Sequence, residues 1–236
     1  MGLTSGALEV ENVAVHYGKF IAVSSASFSL SPGDFVAIIG PNGHGKSSLV
    51  NSLAGLVQRS GEVRVDGVAL PSRNPKAAVA AGLVLVPERR HLYPGLSVRD
   101  NILLGSYVKT RRFFAESAWE DVSDVLEVFP ELADLLNQRA ATLSGGQQQM
   151  AALARAMAAR PAIIVLDEPC LGLAEAVSKR VYDWLVMMAG TKVTILLVEE
   201  NPVHALKVAH RVLEMFKGVM SVPEMATLAK DQQSHE

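Results

Sequence analysis

Short, strongly apolar runs alternate along the chain with longer stretches of helical periodicity. Apolar residues recur among polar ones at residues 8–15, and residues 20–30 are rich in β-forming residues, so both stretches predict strands. Residues 61–68 predict a further strand, or a hairpin with its turn at Asp66-Gly67. Four nearly continuous apolar runs are typical of buried parallel strands: residues 35–39, 83–86, 163–166 and 193–198.

Helices are predicted between these strands, at residues 47–56, 144–159 and 174–189. Strands that alternate with helices favour an α/β fold with a mainly parallel sheet covered on both faces. From residue 98 to residue 139 the pattern becomes helical throughout, which predicts a helical lobe inserted into the sheet. The apolar face of its two or three helices is expected to comprise Leu103, Phe114, Trp119, Val122, Val125, Leu126 and Phe129.

Composition and charge restrict the possible function classes. The 236 residues, 49% hydrophobic and 19% charged, suffice for a substantial core, and the lack of repeats or flexible linkers predicts one compact unit. A net charge of -2 gives no general attraction to nucleic acid or anionic lipid, so no nucleic-acid partner is expected. The single cysteine, Cys170, excludes an internal disulfide and fits a reducing compartment. We expect neither an export signal nor a membrane-spanning helix, because no apolar run reaches about 18 residues.

A glycine-rich loop between a predicted strand and a predicted helix has the pattern G-x-x-x-x-G-K-[ST]. This P-loop comprises Gly40, Pro41, Asn42, Gly43, His44, Gly45, Lys46 and Ser47, and Ser48 follows it. Its glycines let successive backbone N–H groups turn toward an anion, and the helix N-terminus adds partial positive charge. We expect Lys46 to reach the β- and γ-phosphates of ATP, and the Ser47 hydroxyl to bind Mg²⁺. The alternative is a glycine-rich turn that binds nothing, and His44 occupies a variable position of the pattern.

Two adjacent carboxylates follow the apolar run at residues 163–166. Open α/β sheets bind ligands at the carboxyl ends of their strands. There, Asp167 is expected to hold Mg²⁺ and Glu168 to polarise the attacking water. A strand that ends in Asp-Glu is, by itself, equally well explained as a solvated strand end. Together with the P-loop it predicts an ATPase.

Residues 143–147, called the signature segment below, read Leu143-Ser144-Gly145-Gly146-Gln147. Ser144 and Gln147 fit an S-x-x-Q capping box for the following helix, but a cap does not need two glycines. Glycines at a helix start allow a phosphate of another molecule to approach the backbone N–H groups. The order of P-loop, signature segment and Asp-Glu-Pro resembles the nucleotide-binding domain of ATP-binding cassette (ABC) proteins, over nearly the whole chain.

That resemblance implies an α/β fold with a P-loop NTPase core, a mainly parallel sheet, an antiparallel β subdomain and an inserted helical subdomain. The core and β subdomain would comprise residues 1–97 and 140–225, the helical subdomain residues 98–139, and residues 226–236 a polar tail. It also implies ATP and Mg²⁺ as ligands, with Tyr17 stacked on adenine rather than being a plain strand-end aromatic. Two such domains would pair head to tail, so that each signature segment faces the γ-phosphate on the partner's P-loop.

Several short segments resemble the smaller ATPase subunit of branched-chain amino acid importers, the LivF type. They are VPERR at residues 86–90, LSGGQQQM at 143–150, DEPCLGLA at 167–174 and LVEEN at 197–201. The resemblance implies a peripheral subunit on the cytoplasmic face of the cell membrane. Its partners would be a different second ATPase subunit, membrane-spanning permease subunits and, indirectly, an extracytoplasmic substrate-binding protein. Urea and short-amide importers are close relatives and stay open as the alternative.

Three positions depart from the common ABC pattern. Glu88 stands where most relatives have Gln, and its carboxylate can still approach Mg²⁺. Glu200 stands at the position of the switch histidine, where an ionised carboxylate repels the γ-phosphate instead of donating a hydrogen bond to it. With Glu168, these residues would place three carboxylates around one anionic group. The segment after Asp-Glu-Pro lacks the usual terminal Asp, and its Cys170 is expected to be a small buried packing residue.

These departures predict that the ATP site on this chain's own P-loop hydrolyses ATP slowly, while its signature segment serves a faster site on a complete partner. Lys46, Glu168 and Glu200 are the expected catalytic residues. Two other function classes stay open: a cassette ATPase that acts on nucleic acid or ribosomes, and a weakly hydrolysing nucleotide-dependent regulator. The permease is expected to dock at residues 88–96 together with the helical lobe.

Overall fold

The fold is one mixed sheet with helices on both faces. The computed structural model describes residues 6–88, 91–110, 119 and 122–222. The strands of the sheet are β1 (Leu8–Tyr17), β2 (Phe20–Leu30), β3 (Phe35–Ile39), β4 (Ser60–Val65), β5 (Val68–Ala69), β6 (Leu83–Val86), β7 (Ile163–Asp167), β8 (Thr194–Glu199), β9 (Arg211–Phe216) and β10 (Val219–Ser221). The α-helices are α1 (Lys46–Leu53), α2 (Pro75–Ala80), α3 (Val98–Thr110), α4 (Val125–Val128), α5 (Gly145–Ala158), α6 (Glu175–Gly190) and α7 (Pro202–Val208). Short 3₁₀ helices span Pro130–Leu135 and Ala140–Thr142. Within those ranges, no helix is long and apolar enough to cross a membrane.

The parallel part of the sheet has the strand order β9-β3-β8-β7-β6. The four nearly continuous apolar runs form β3, β6, β7 and β8, which confirms the predicted buried parallel strands. In β7, Ile164 and Leu166 pack into the core on one face of the sheet, while Ile163 and Val165 pack into the core on the other. Because helices cover both faces, these strands have no solvent side that would favour alternate polar residues.

The antiparallel part of the sheet contains the N-terminal strands. Strand β1 pairs with β2 and β4, and β4 pairs with β5. The predicted hairpin turn lies at Asp66-Gly67, where both residues have positive φ as a tight hairpin turn requires. Strand β10 pairs antiparallel with β9 and parallel with β2, so it joins the two parts of the sheet.

Four short elements were not predicted from the sequence: helices α2 and α7 and strands β9 and β10. Helices α2 and α7 each begin with a capping Asn followed by Pro, at Asn74-Pro75 and Asn201-Pro202. Asn at the cap and Pro at the first helical position are a recognisable start signal, so both helices were detectable. Strands β9 and β10 have mixed burial patterns and no continuous apolar run, and pairing with β3 and β2 decides their conformation.

The segment between residues 98 and 139 is helical in its described part, and α3 packs against α5. Its predicted apolar residues Leu103, Val122, Val125 and Phe129 are buried in the core, and Trp119 and Leu126 pack against them. Phe114 lies outside the described residues. Ser97 forms an isolated bridge with Arg139, which brings the two ends of the segment together. The division into subdomains stays a prediction, as does the polar tail at residues 226–236, which also lies outside the described ranges.

Candidate functional site

The P-loop leaves the carboxyl end of β3 and leads into α1, whose N-cap is Gly45. Gly45 has a φ of 102°, and a Cβ there would overlap the carbonyl oxygen of Ala22 on β2. A Cβ on Gly40 would likewise overlap the carbonyl oxygen of Met215 on β9. Glycine is therefore required at both positions because the loop lies directly against two neighbouring strands.

Lys46 is almost fully buried beneath this loop. Its Nζ donates hydrogen bonds to the carbonyl oxygens of Gly40 at 2.6 Å and Pro41 at 3.1 Å. The same ammonium lies 4.0 Å from Glu168 Oε1. A buried cation that is held by the loop itself is suited to bind an anion that the loop encloses.

A cleft of about 290 Å³ opens beside the P-loop. It is lined by Phe20, Ala22, Asn42, Gly43, Gly45, Lys46, Ser47 and Ser48. Among the P-loop residues, Gly40, Pro41 and His44 do not line it, and neither do the predicted binding residue Tyr17 and the signature segment. The His44 ring packs edge-on against Phe216 at 4.7 Å, and its Nδ1 accepts the Lys217 N–H at 3.3 Å. The His44 ring is therefore held against Phe216 of β9 and the residue that follows it.

Phe20 is a lining residue that the sequence analysis missed. It pairs directly with Tyr17 across the two-residue turn of the β1–β2 hairpin, and directly opposed residues project from the same face. The two aromatic side chains are 63% and 49% exposed, although aromatic residues are usually well buried. The detectable signal was the pattern aromatic-Gly-Lys-aromatic, because a two-residue turn pairs its flanking residues.

Asp167, the predicted Mg²⁺ ligand, is the last residue of β7. It is 2% exposed, it is hydrogen-bonded with Ser47, and its Oδ1 has no hydrogen-bond partner among the residues described. Burial raises the pKa of Asp167, the Ser47 hydrogen bond opposes that rise, and the charge of Glu88 adds to it. A buried carboxylate oxygen without a donor, next to a hydroxyl, fits the hard oxygen ligands that Mg²⁺ prefers.

Glu88 follows β6 and is exposed. It lines a second cleft of about 410 Å³, together with His91, Leu92, Pro94, Ala140, Ala141, Gln148 and Leu171. Its charge reaches both Asp167 and Glu168, since it raises the pKa of each. Glu88 therefore acts on both carboxyl groups through its charge, but it lies on the wall of a different cleft from the P-loop residues, and its role as a metal ligand stays a prediction. Arg89 and Arg90, beside it, are outside the described ranges.

Glu168 adopts a left-handed backbone conformation, with a φ of 48°. This conformation costs roughly 1 kcal/mol for a non-glycine residue, and the Glu168 N–H is held by the Val198 carbonyl of β8 at 2.9 Å. Burial raises the pKa of its carboxyl group, Lys46 lowers it, and Asp167, Glu88 and Glu200 raise it further. The charges of Glu88 and Glu200 therefore both act on Glu168, while the expected arrangement of the three carboxylates around a γ-phosphate stays a prediction.

Glu200 reaches the P-loop through a side-chain hydrogen bond. Asn42 Nδ2 donates to Glu200 Oε2 at 2.8 Å, and both residues are exposed. The carboxylate at the switch position is therefore oriented by an amide of the phosphate-binding loop. This contact spans the ends of β3 and β8, which are neighbours in the sheet.

Glu199, one residue earlier, was not singled out by the sequence analysis. Tyr182 on α6 donates its hydroxyl to Glu199 Oε1 at 2.8 Å, and burial raises the pKa of Glu199 to about 7. Cys170 lies against the same tyrosine, and burial raises the pKa of its thiol to about 11. Cys170 is partly rather than fully buried, and such a thiol is unreactive.

The signature segment lies at the start of α5, away from the P-loop cleft. Ser144 accepts the Gln147 N–H at 3.3 Å and its own N–H donates to Gln147 Oε1 at 2.8 Å, which confirms the predicted capping box. A Cβ on Gly146 would make only ordinary contacts, the nearest at 3.7 Å from Leu173. Packing within the described part of this chain therefore does not require glycine at position 146.

A family model described as "ABC transporter" matches residues 23–171 of the chain. The chain belongs to the ABC transporter family. It is 34% identical over 212 residues to BraG, the "High-affinity branched-chain amino acid transport ATP-binding protein" of Pseudomonas aeruginosa, covering 89% of each chain. It is 32% identical over 215 residues to the "Fructose import ATP-binding protein FrcA" of Rhizobium meliloti, covering 87% of this chain and 83% of the relative.

Solved ABC structures share the fold of this ABC ATPase. A nucleotide-free ATP-binding cassette from an ABC transporter superposes with a TM-score of 0.79 at 26% identity, covering 96% of this chain and 94% of that one. A dimeric cassette in a post-hydrolysis state, bound to ADP and Pi, superposes with a TM-score of 0.81 at 25% identity, covering 91% and 98%. These similarities confirm the predicted α/β P-loop fold and the prediction of an ATPase coupled to transport.

Proposed function

We propose that this ABC ATPase drives import of branched-chain or related hydrophobic amino acids. The observation that carries the proposal is the similarity to BraG over nine-tenths of the chain, which agrees with the LivF-like segments in the sequence. The proposed complex contains a second, different ATPase subunit and membrane-spanning permease subunits, with this chain at the cytoplasmic face of the membrane. An extracytoplasmic binding protein delivers the substrate to it.

The phosphate groups of ATP occupy the P-loop in this proposal. Backbone N–H groups of the loop and the Lys46 ammonium bind the β- and γ-phosphates, while Tyr17 and Phe20 contact the adenine ring. Ser47 and Asp167 hold Mg²⁺, with Glu88 as a further candidate ligand, and the ion, when bound, neutralises phosphate charge. Support comes from the buried Asp167 Oδ1, which has no hydrogen-bond partner in the described part of the chain, and from Ser47 beside that carboxyl group.

Glu168 is the proposed group that orients the attacking water. Its left-handed backbone, held by β8, turns the carboxylate toward Lys46 and hence toward the mouth of the P-loop. Glu200 cannot donate to a γ-phosphate, and its negative charge opposes charge accumulation there. We therefore assign slow hydrolysis to this chain's own site, and a faster site to the partner's P-loop together with this chain's signature segment.

Purification of the complex from membranes tests the transport assignment. The complex is reconstituted in lipid vesicles and ATP turnover is measured with the binding protein loaded with leucine, urea, fructose or phosphate. Leucine is expected to stimulate turnover several-fold and the other three solutes are not. Stimulation by urea alone would move the assignment to the urea and amide importers, and stimulation by fructose or phosphate would remove it from this branch.

A further inference from the structure

Two buried side chains contact three segments of this chain that lie around the proposed ATP sites. The first segment is the signature segment and the start of α5, the second follows Glu168, and the third is the end of β8 before Glu200. Neither of the side chains that make these connections, Gln149 and Tyr182, belongs to the P-loop cleft or the signature segment. Gln149 is 1% exposed and Tyr182 is 6% exposed.

Gln149 makes the first connection. It lies on α5, two residues after the signature segment, and its Nε2 donates to the carbonyl oxygen of Pro169 at 2.9 Å. Pro169 directly follows Glu168 and is itself buried. A displacement of the start of α5 therefore acts, through one buried hydrogen bond, on the residue adjoining the proposed water-orienting carboxylate.

Tyr182 makes the second connection. Its hydroxyl donates to Glu199 Oε1 at 2.8 Å, and Cys170, two residues after Glu168, packs against the buried apolar cluster that contains Tyr182. Its ring stacks on His204 of α7, with ring centroids 5.1 Å apart and planes inclined by 10°. The tyrosine thus holds together the segments that follow β7 and β8, where Glu168 and Glu200 lie.

We infer that Gln149 and Tyr182 are positioning residues that fix Glu168 and Glu200 relative to the signature segment. The inference rests on the proposed function, because it assumes that Glu168 and Glu200 act on bound ATP. Binding of a partner's nucleotide at the signature segment would be felt at this chain's own site through Gln149 and Pro169. In a low-dielectric interior such hydrogen bonds are strong and directional, so they transmit displacement rather than absorb it.

The test uses the purified complex in which the partner ATPase subunit carries alanine in place of its own P-loop lysine, so that turnover reports this chain's site. Tyr182→Phe removes only the hydroxyl, and Gln149→Met removes the amide at similar length. Each is expected to lower kcat by about tenfold, with KM for ATP changed by less than about twofold. The double variant is expected to lose less than the product of the two single losses, because both act on one segment.

Thr194→Val is the matched control for loss of a buried hydrogen bond. Thr194 is fully buried at the start of β8, away from the site, and its Oγ1 donates to the Gly6 carbonyl at 2.6 Å. We expect this variant to have a lower Tm and an unchanged kcat. The inference is overturned when Tyr182→Phe and Gln149→Met leave kcat unchanged, or lower it no more than Thr194→Val does at equal folded fraction.

The affinity for ATP, measured in the presence of EDTA, distinguishes failure of the proposed ATP site from failure of the positioning inference. If Lys46→Ala does not weaken ATP binding, the proposed ATP site itself is wrong. If Lys46→Ala weakens binding but kcat is insensitive to Gln149 and Tyr182, only the positioning inference fails. Absence of turnover by the otherwise unaltered chain in this complex also overturns the positioning inference while leaving the binding site intact.

Discussion

Phe20 lines the P-loop cleft, and Tyr17, which is also exposed, is its direct partner in the β1–β2 hairpin. If both contact the nucleobase, Phe20→Ala should weaken ATP binding by about tenfold, which is the usual scale for loss of one base-stacking ring. Its affinity for inorganic tripolyphosphate, which has no base, should not change. Isothermal titration calorimetry measures both affinities.

Ile21 is the matched control for Phe20. It is 53% exposed and pairs with His16, so its side chain projects from the other face of the hairpin. Ile21→Ala should leave both affinities unchanged. Equal weakening of ATP and tripolyphosphate binding by Phe20→Ala would mean that Phe20 shapes the phosphate loop instead of contacting the base.

Glu200 is the residue to which slow hydrolysis is assigned. Glu200→Gln removes the negative charge but retains an oxygen that can accept the Asn42 amide. We expect turnover at this chain's own site to rise about fivefold, because one repulsion with the γ-phosphate is lost. Glu200→His should also raise it. Glu175→Gln, at an exposed carboxylate on α6, is the charge-matched control, and no response to either Glu200 change would remove Glu200 from the site.

Glu199 makes the stability of the fold depend on pH. Its pKa is raised to about 7 by burial, so its contribution favours folding below its ordinary pKa of 4.5 and is lost as pH rises through about 7. Glu199→Gln should therefore flatten the fall in Tm between about pH 5.5 and 8, while retaining the Tyr182 hydrogen bond. Thermal denaturation followed by circular dichroism measures this slope.

Glu127→Gln, at an exposed carboxylate on α4, is the control and should leave the slope of Tm against pH unchanged. A slope that does not respond to Glu199→Gln would contradict the assignment of this pH dependence to Glu199.

At the scale of the element, the start of α5 has two separate requirements. The capping box between Ser144 and Gln147 satisfies the helix end, and this requirement is local. Gly146 meets no local requirement, since its Cβ position is open enough for a methyl group. In our proposal, the glycine is required because the nucleotide of a partner subunit approaches the backbone here.

Gly146→Ala tests that explanation. The change should leave Tm equal or raise it, because alanine is favoured over glycine in a helix by about 1 kcal/mol. ATP binding to this chain should be unaffected. ATP turnover of the whole complex should fall at least about tenfold, since a methyl group would hold the partner's phosphate away from the backbone N–H groups. Gly190→Ala, at the end of α6 where a Cβ meets nothing within 4 Å, is the control: it should also leave Tm equal or raise it, and it should leave ATP turnover unchanged.

At the scale of the whole molecule, the parallel part of the sheet assembles the site. The P-loop, the Asp167-Glu168 pair and the Glu199-Glu200 pair follow β3, β7 and β8, with β8 lying between the other two strands. Parallel strands place their carboxyl ends at one edge, so residues more than a hundred positions apart become neighbours. The signature segment lies outside this edge, and a second ATPase subunit completes the arrangement in our proposal.

Lys46→Ala in this chain, combined with an unaltered partner, tests the proposed asymmetry. The complex should retain more than about half of its ATP turnover, because the faster site uses the partner's P-loop and this chain's signature segment. The corresponding alanine in the partner's P-loop should abolish most turnover. A fall to background with Lys46→Ala alone would show that both sites hydrolyse ATP together and would reject the asymmetric scheme.

The sequence by itself determined the features that depend on local chemistry. Glycines and Lys46 identify the P-loop, because glycine lets successive backbone N–H groups turn toward an anion and Lys46 supplies a positive charge. Ser144 with Gln147 identifies a helix start. Continuous apolar runs predicted the buried parallel strands, because a strand covered on both faces has no polar positions. The capping signals at Asn74 and Asn201 were equally local, although they were missed.

Only the tertiary structure decided which distant residues meet. Strand order brings Asn42 to Glu200 and Glu168 beside Lys46, and the packing of α6 on the sheet brings Tyr182 to Glu199. Pairings of this kind depend on register and on helix placement, which the sum of many weak packing contacts selects and no single residue encodes. For the same reason, Phe20 acquires its place in the cleft from the fold, whereas the P-loop beside it was recognisable from sequence.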